Sequence, residues 1–273
     1  MSQMHGTAID QAPKAAARLP MTPARRVALL FGVPLCLLFT AIAGFSLVAH
    51  VGSGSTAVSY QVPAGARRAT VTTSGGDVLL RQAGSGTGTL TGTGYYSLVR
   101  PHITHRFAAG AATFDYRCPI GFVNCGLNAT LSVPRGTAVS VSTDGGNVTA
   151  EGTVGDITLS TGGGNVTADR MAGDLAFSTG GGNIQASFVT ATQVTADTGG
   201  GDIEITFTSV PRDVQVSTGG GNITIIVPPG GAHYHITAIT GGGETHTLPD
   251  DPSSPNVITA TSGGGDITIK QAP

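Results

Sequence analysis

The sequence has few of the residues on which many enzymes and nucleic-acid-binding proteins depend. Tryptophan is absent, Lys occurs only at Lys14 and Lys270, and charged residues are 11% of the 273, against roughly a quarter in globular proteins. The net charge of −2 gives no basic field that would attract nucleic acid. Gly, Thr, Ser, Val and Ala dominate instead, with 42 glycines, which is typical of a β-protein with many tight turns rather than a helical enzyme domain.

The first 51 residues are predicted to anchor the protein in a membrane. Residues 1–26 hold four basic side chains and three prolines without an apolar period, which predicts a disordered cytoplasmic tail. Residues 27–51 carry no charge and are long enough for one transmembrane helix. Because Arg25 and Arg26 precede the span and the next basic residue is Arg67, the C-terminal part is expected outside the cytoplasm.

A cleaved signal peptide is the alternative interpretation of the apolar segment. Ala41, Ile42 and Ala43 form an A-x-A pattern that permits cleavage before Gly44. The apolar run continues past this point to Val51, which favours a retained single-pass anchor. Both interpretations export the C-terminal part of the chain.

A repeat follows a predicted linker at residues 52–66. Each unit has glycines, then Asn or Asp, then alternating apolar residues, and successive units from residue 147 are 18, 18, 19, 20, 22 and 22 residues apart. A period near twenty residues is typical of a solenoid. The residues after the glycines are interpreted as repeat corners: Asp77, Asn147, Asn165, Asn183, Asp202, Asn222, Glu244 and Asp266.

The alternation predicts short strands with one dry and one wet face. Val166 and Ala168, for example, flank the polar Thr167. Stacked in register, such strands predict an all-β fold, a parallel β-solenoid or β-helix over residues 67–273. Glycines such as Gly163 and Gly181 are expected to hold the corners at positive φ, and the following Asn or Asp could form a ladder along the axis.

Glycine-rich motifs of this kind also occur in phosphate-binding loops and in Ca²⁺-binding repeats. A phosphate-binding loop needs a helix and usually a Lys after the glycines, whereas strands are predicted here. A Ca²⁺-binding repeat shares the glycines, but the marker residue is mostly neutral Asn and Ca²⁺ prefers several carboxylates; this module stays an alternative. A regular Thr/Ser face could bind a lattice such as ice or a glycan, or could simply be solvated β-surface.

Two cysteines and three histidines are the remaining candidates for covalent or metal chemistry. Cys118 and Cys125 lie in the exported part, where a local disulfide is expected. His233, His235 and His246 could bind a metal, but no carboxylate cluster accompanies them, so ordinary surface or packed histidines are favoured. No cofactor, no metal site and no catalytic residue is predicted.

An enzyme would need carboxylates that the repeat does not already explain. Asp156, Asp174, Asp202 and Asp266 could suggest a carbohydrate-active solenoid enzyme with paired carboxylates, but each occupies a corner of the repeat. The densest aromatic region, residues 94–127, is irregular in sequence. We predict that it caps the first turn of the solenoid, because an uncapped β-stack exposes a pairing edge.

The stretch LSVPRGTAVSVSTDGGNVTAEGTVGDITLSTGGGNVTADRMAGDLAFSTGGGNI, residues 131–184, resembles the bacterial DUF4097 family of candidate adhesins. The resemblance covers about residues 67–270 and rests on a "VP.G..V.V.T..G.V" entry followed by repeated G-[D/N]-[I/V] strands. It implies a β-helix-like fold and brings no catalytic residues. Together these observations predict a membrane-anchored protein of the bacterial cell envelope with a structural or adhesive role, whose partner could be a cell-wall glycan or another envelope protein.

Overall fold

The computed structural model describes Leu35 and residues 53–84, 86–119 and 124–273. From Ser53 onward every element of the described chain is a β-strand, which confirms the prediction of an all-β fold. Among the described residues, no helix is long and apolar enough to cross a membrane.

The chain divides into two compact units, Met1–Val48 and Ala49–Pro273. The tail predicted for residues 1–26 lies outside the described residues. So does the transmembrane helix predicted for residues 27–51, apart from Leu35. Both assignments therefore stay predictions. All described strands belong to the second unit.

The described residues form 21 strands. In chain order they are β1 (Ser53–Val62), β2 (Arg68–Thr73), β3 (Val78–Gln82), β4 (Gly88–Ser97), β5 (His102–Ala108), β6 (Ala111–Arg117), β7 (Gly126–Val133), β8 (Ala138–Thr143), β9 (Val148–Glu151), β10 (Ile157–Thr161), β11 (Val166–Asp169), β12 (Leu175–Thr179), β13 (Ile184–Val189), β14 (Gln193–Thr198), β15 (Ile203–Phe207), β16 (Asp213–Thr218), β17 (Ile223–Val227), β18 (His235–Thr240), β19 (Thr245–His246), β20 (Val257–Ser262) and β21 (Ile267–Gln271).

These strands form two sheets, and each turn of the chain, here called a coil, adds one strand to each sheet. Sheet A has 11 strands in the order β1-β4-β7-β3-β9-β11-β13-β15-β17-β21-β19. Sheet B has 10 in the order β18-β20-β16-β14-β12-β10-β8-β2-β6-β5. Equivalent strands of successive coils pair in parallel, as Val166 of β11 does with Ile184 of β13. The parallel stacking expected of a solenoid is therefore present.

The core is built from the alternation seen in the sequence. Ile157 and Leu159 of β10 are 2% and 0% exposed, and Ile203 and Ile205 of β15 are 1% and 0% exposed. The intervening Thr158 lies on the outer surface. Because every coil repeats this pattern, the buried residues of both sheets merge into one hydrophobic cluster that extends from Val58 to Ile269.

The spatial order of the coils departs from chain order at both ends. The coil β2–β3 lies between β6–β7 on one side and β8–β9 on the other. At the opposite end, the coil β20–β21 is inserted between β16–β17 and β18–β19. At each end the chain forms the outermost parallel coil and then continues at a position further inside the stack. The first and last repeats in sequence are therefore not the outermost in space.

The N-terminal end also corrects two of our predictions. Residues 53–62, which we assigned to a linker, form β1 and pair with β4 along its whole length. The described residues of the aromatic stretch 94–127 are not irregular but supply parts of β4 and β7 and the whole of β5 and β6. In this region β1 pairs with β4, β4 with β7 and β5 with β6 in antiparallel fashion. These strands cover the end of the parallel stack, as a cap must.

Candidate functional surface

The glycine corner is the turn that leads from a sheet-B strand to the sheet-A strand of the same coil. In Gly162-Gly163-Gly164, a Cβ built on Gly164 would overlap the carbonyl oxygen of Gly146 one coil below, and one on Gly162 would overlap that of Asp144. A Cβ on Gly163 would meet nothing within 4 Å. The outer two glycines are therefore required for close approach of stacked backbones.

Our prediction of positive φ at Gly163 and Gly181 is wrong, because neither is among the glycines with positive φ. Among the described glycine corners, positive φ is found only at Gly76 (φ 91°), whereas it recurs at the second corner, which leads from sheet A back to sheet B. Gly155 has φ 148° and Gly173 has φ 113°. A left-handed residue also recurs there one coil apart: Gly152 (φ 61°), Arg170 (φ 53°) and Phe188 (φ 54°). The runs of three glycines thus provide space for the backbone of the neighbouring coil, whereas the second corner needs residues that can adopt positive φ.

The predicted corner residues form one continuous hydrogen-bonded ladder. The backbone N–H of Asn165 donates to Oδ1 of Asn147 at 2.9 Å, and that of Asn183 donates to Oδ1 of Asn165 at 2.8 Å. The same bond joins every neighbouring pair at distances from 2.7 to 2.9 Å. The ladder runs in the spatial order Asn128, Asp77, Asn147, Asn165, Asn183, Asp202, Asn222, Asp266 and Glu244.

This ladder explains the residue type at each corner. Asn and Asp place a side-chain oxygen within reach of the next coil, and Glu244 occupies the last rung, where no further coil needs an acceptor. Asp77 and Asp202 each have an amide neighbour on both sides, so like charges are kept apart along most of the ladder. Asn128 also belongs to the ladder and was missed, because its repeat lacks the glycines.

A second column, of buried hydroxyls, lies behind the glycine corner and was also missed. Thr179 is 4% exposed; its Oγ1 donates to the carbonyl of Gly164 at 2.7 Å and accepts the N–H of Gly182 at 3.1 Å. Equivalent bonds to a neighbouring coil's glycine recur at Thr143, Thr161, Thr198, Thr218, Thr240 and Ser262. The sequence signal was the Thr or Ser directly before each run of three glycines, and at Thr143 one residue, Asp144, lies between the hydroxyl residue and the glycines.

The outer face of sheet B carries two rows of mostly small hydroxyl side chains, here called the hydroxyl face. Thr158 lies opposite Ser140 in the next coil and Ser160 lies opposite Ser142. Adjacent strands are about 4.8 Å apart, so the hydroxyls recur at this interval. Asp115, Ala176, Asp197, Gln215 and Ile239 interrupt the pattern. Its hydroxyl members are Thr70, Thr72, Thr113, Ser140, Ser142, Thr158, Ser160, Ser178, Thr195, Ser217, Thr237, Thr259 and Thr261.

Two carboxylates that line a surface depression already have structural partners. A depression on the outer face of sheet A is lined by both Asp77 and Glu151. Glu151 accepts from Nε of Arg81 at 3.1 Å, and Oδ1 of Asp77 accepts the N–H of Asn147 at 2.7 Å. Asp156 and Asp174 lie at the second corner, whereas Asp202 and Asp266 are ladder residues.

The three histidines lie near the C-terminal end of the stack, and two of them contact different carboxylates. His235 Nδ1 is 3.1 Å from Asp250 Oδ1, and His246 Nε2 is 3.3 Å from Glu244 Oε2. His233 is exposed and precedes β18. Among the described residues, no three His, Cys, Asp or Glu side chains form a group that could hold a metal ion.

Cys118 and Cys125 form a disulfide that closes the loop between β6 and β7. This loop replaces a glycine corner in the outermost parallel coil, and the backbone N–H of Cys118 donates to Oγ of Ser74 at 3.1 Å. Replacing both cysteines by Ser should lower the free energy of unfolding by about 2 kcal/mol, because a short loop gains limited closure entropy. Chemical unfolding of oxidised and reduced wild type beside the double variant would measure it. Equal stability of all three would contradict the expectation.

The N-terminal end of the core is closed by aromatic rings. Tyr60 of β1 stacks on His105 with ring centroids 4.1 Å apart and contacts Phe114 at 5.8 Å. Below them Tyr116 is 1% exposed and donates its hydroxyl to the carbonyl of Tyr95 at 3.3 Å. Burial first, and then the neighbouring tyrosines, raises the pKa of Tyr116 from 10.0 to about 12.

This shift predicts a loss of stability in alkali. The folded state keeps the proton of Tyr116 to a higher pH than the unfolded chain, so its contribution is complete below pH 10.0 and is lost as pH rises towards about 12. The Tm of the wild type should fall in this window, and that of Tyr116→Phe should fall less. The Tm of Tyr116→Phe will still fall somewhat as pH rises, because burial also raises the pKa of Tyr234. Thermal unfolding of both proteins, followed by circular dichroism across this pH range, would measure the difference. An equal fall of Tm with pH in the two proteins would refute the prediction.

Two solved structures are similar to the chain: a candidate cell adhesion protein from Clostridium sporogenes and a candidate adhesin from Bacteroides fragilis. The first is 14% identical with a TM-score of 0.35 and covers 80% of this chain and 100% of its own. The second is 13% identical with a TM-score of 0.35, and the match covers 80% of this chain and 97% of the second protein's own chain.

No curated protein matches the sequence. The family described as Toastrack DUF4097 matches residues 127–272. That range includes eight of the nine ladder residues, from Asn128 to Asp266, and every run of three glycines in the chain. The resemblance noted in the sequence is thereby confirmed over more than half of its length, and the chain belongs to the Toastrack DUF4097 family.

Proposed function

We propose that this protein is anchored in the cell membrane by residues 27–51 and displays its solenoid outside the cytoplasm as an adhesive or structural module without catalysis. Its partner in this proposal is a cell-wall glycan or another envelope protein. The observation that carries the adhesive role is the hydroxyl face, in which donors and acceptors recur at about 4.8 Å along the stack. A repeating partner can meet such a face with the same contact many times over, which multiplies weak contacts into useful affinity.

The rigidity of the corners supports a display role. Each coil is fixed to its neighbours by a ladder bond such as Asn183 to Asn165 and by a buried hydroxyl such as that of Thr179. A surface whose groups are held in place loses little conformational freedom on binding. The same bonding also supports a non-enzymatic role, because Asp77 and Asp202 are engaged in holding the stack together.

Binding can be tested with the unit Ala49–Pro273, which contains the whole described core from Val58 to Ile269. A glycan array and a cell-wall pull-down should detect a ligand, and Ser160→Tyr should weaken its binding at least about tenfold by breaking the flat hydroxyl face. The matched control is Thr167→Tyr, which adds the same ring to the outer face of sheet A. If both variants bind like wild type, or both lose binding, the hydroxyl face is not the site.

The anchor is tested separately with a reporter fused after Pro273. We expect activity outside the cytoplasm and retention of the fusion in the membrane fraction after a salt wash, because an apolar span is held by the bilayer rather than by charge. Release of a mature chain that begins at Gly44 would show that the segment is a signal peptide and would overturn the anchor.

A further inference from the structure

The two ends of the solenoid differ in charge. Residues 53–117, here called the N-terminal cap, contain six arginines and two acidic residues, a net charge of +4. Residues 124–273 contain four basic and thirteen acidic residues, a net charge of −9. The overall net charge of −2 conceals this separation. An anionic surface will therefore attract the cap and repel the rest of the stack.

Several of the arginines lie on exposed parts of the cap. Arg106 belongs to β5, the last strand of sheet B, and faces outward because it pairs with the exposed Thr113. Arg100 lies in the exposed turn before β5, and Arg68 lies on the outer face of β2. Within the described part of the chain, neither Arg100 nor Arg106 forms an ion pair. Both guanidinium groups are available to an anionic partner.

Apolar side chains are exposed beside these arginines. Phe107 is 49% exposed and Val99 is 37% exposed. Phe107 lies on the core side of β5, like Ile103 and His105, but no coil lies beyond β5 to cover it. An exposed aromatic ring on the same end strand as an exposed arginine suits a lipid interface, where the ring enters the headgroup region and the guanidinium group meets phosphates.

The connection to the proposed anchor favours lipid over other anionic partners. The predicted span ends at Val51, and β1 begins at Ser53. Two residues reach at most about 7 Å, so a retained span would keep the start of β1 close to the headgroups. Like β5 in sheet B, β1 is the last strand of sheet A at this end.

We propose that the N-terminal cap docks on the anionic lipid surface of the membrane that anchors the protein, with Phe107 inserted at the interface and Arg100 and Arg106 on the headgroup phosphates. The inference rests on the proposed anchor. Docking directs the acidic remainder of the stack away from the lipid, because like charges repel. The hydroxyl face would then be held upright above the membrane.

The absence of Trp from the chain makes the test direct. Full-length Phe107→Trp protein would be reconstituted into vesicles of phosphatidylglycerol and phosphatidylcholine that contain brominated lipid. Its emission should shift to the blue and be quenched. Both effects should weaken in about 1 M salt, where the Debye length is about 3 Å, and in pure phosphatidylcholine. Adding Arg100→Ala and Arg106→Ala should reduce the ratio of docked to undocked protein about thirtyfold.

Val210→Trp is the matched control, since Val210 is 42% exposed and lies in the acidic part of the stack. Its emission should not be quenched. If the chain stays in the vesicles after a salt wash but Phe107→Trp is quenched no more than Val210→Trp, the docking inference is overturned and the anchor stands. If the chain is washed out of the vesicles, the anchor fails and the inference fails with it.

Discussion

Gly164→Ala should destabilise the stack by about 3 kcal/mol or more, whereas Gly163→Ala should change the free energy of unfolding by less than about 1 kcal/mol. Both substitutions add one methyl group to the same corner. At Gly164 the new carbon would overlap the carbonyl of Gly146 and force two coils apart, whereas at Gly163 it would point into open space.

The same pair can be repeated one coil further along the chain. Gly182→Ala would meet the carbonyl of Gly164, and Gly181→Ala would meet nothing. Because coil stability is a sum of contacts with nearest neighbours, either damaging variant should lower the cooperativity of unfolding as well as the Tm. Thermal and chemical unfolding of the four variants would measure both. A destabilised Gly163→Ala beside a native-like Gly164→Ala would show that the corner is built differently.

Thr179→Val should cost about 2 to 3 kcal/mol although the two side chains have nearly the same shape. Valine leaves the carbonyl of Gly164 and the N–H of Gly182 without the hydroxyl that joins them. An unsatisfied buried backbone group costs about 1–3 kcal/mol. The effect on stability should therefore come from lost hydrogen bonds and not from a cavity.

Two matched variants separate these causes. Thr179→Ser keeps the hydroxyl and should stay within about 1 kcal/mol of wild type. Ser262 already occupies the equivalent position and bonds to Gly221 at 2.8 Å. Thr167→Val makes the same change on the outer face of sheet A and should stay within about 0.5 kcal/mol, as should Thr167→Ser. Chemical unfolding decides the matter, and equal losses for Thr179→Val and Thr167→Val would refute the role of the buried column.

The Asn/Asp ladder and the column of buried hydroxyls hold neighbouring coils together in a chain that has no Trp and few large side chains. Each coil is thin, and its core residues are mostly Val, Ile, Leu and Ala. The backbone groups at the glycine corner are satisfied by the neighbouring coil, through Asn or Asp on the outside and Thr or Ser on the inside. Hydrogen bonds at the corner therefore add to packing in specifying one register of the coils.

The sequence by itself determined the all-β class, the period and the inward-facing residues. Period-two alternation within each unit requires a strand with one buried face, and Ile157, Leu159 and Val166 are all buried as this predicts. The Asn and Asp positions were also readable, because the same residue type recurs wherever the same local bond is needed. These features depend on neighbours within one coil or on the equivalent position of the next coil.

The tertiary structure decided what depends on contacts between distant parts of the chain. Three glycines in a row do not reveal which one approaches another backbone, so Gly163 and Gly181 were wrongly expected to adopt positive φ. Asn128 pairs with Asp77 across 51 residues, and no local period marks it. The coil order at the two ends and the pairing of residues 53–62 with β4 were equally hidden. The sequence of a strand indicates which of its faces is buried, whereas the packing of the whole stack determines which other strand it pairs with.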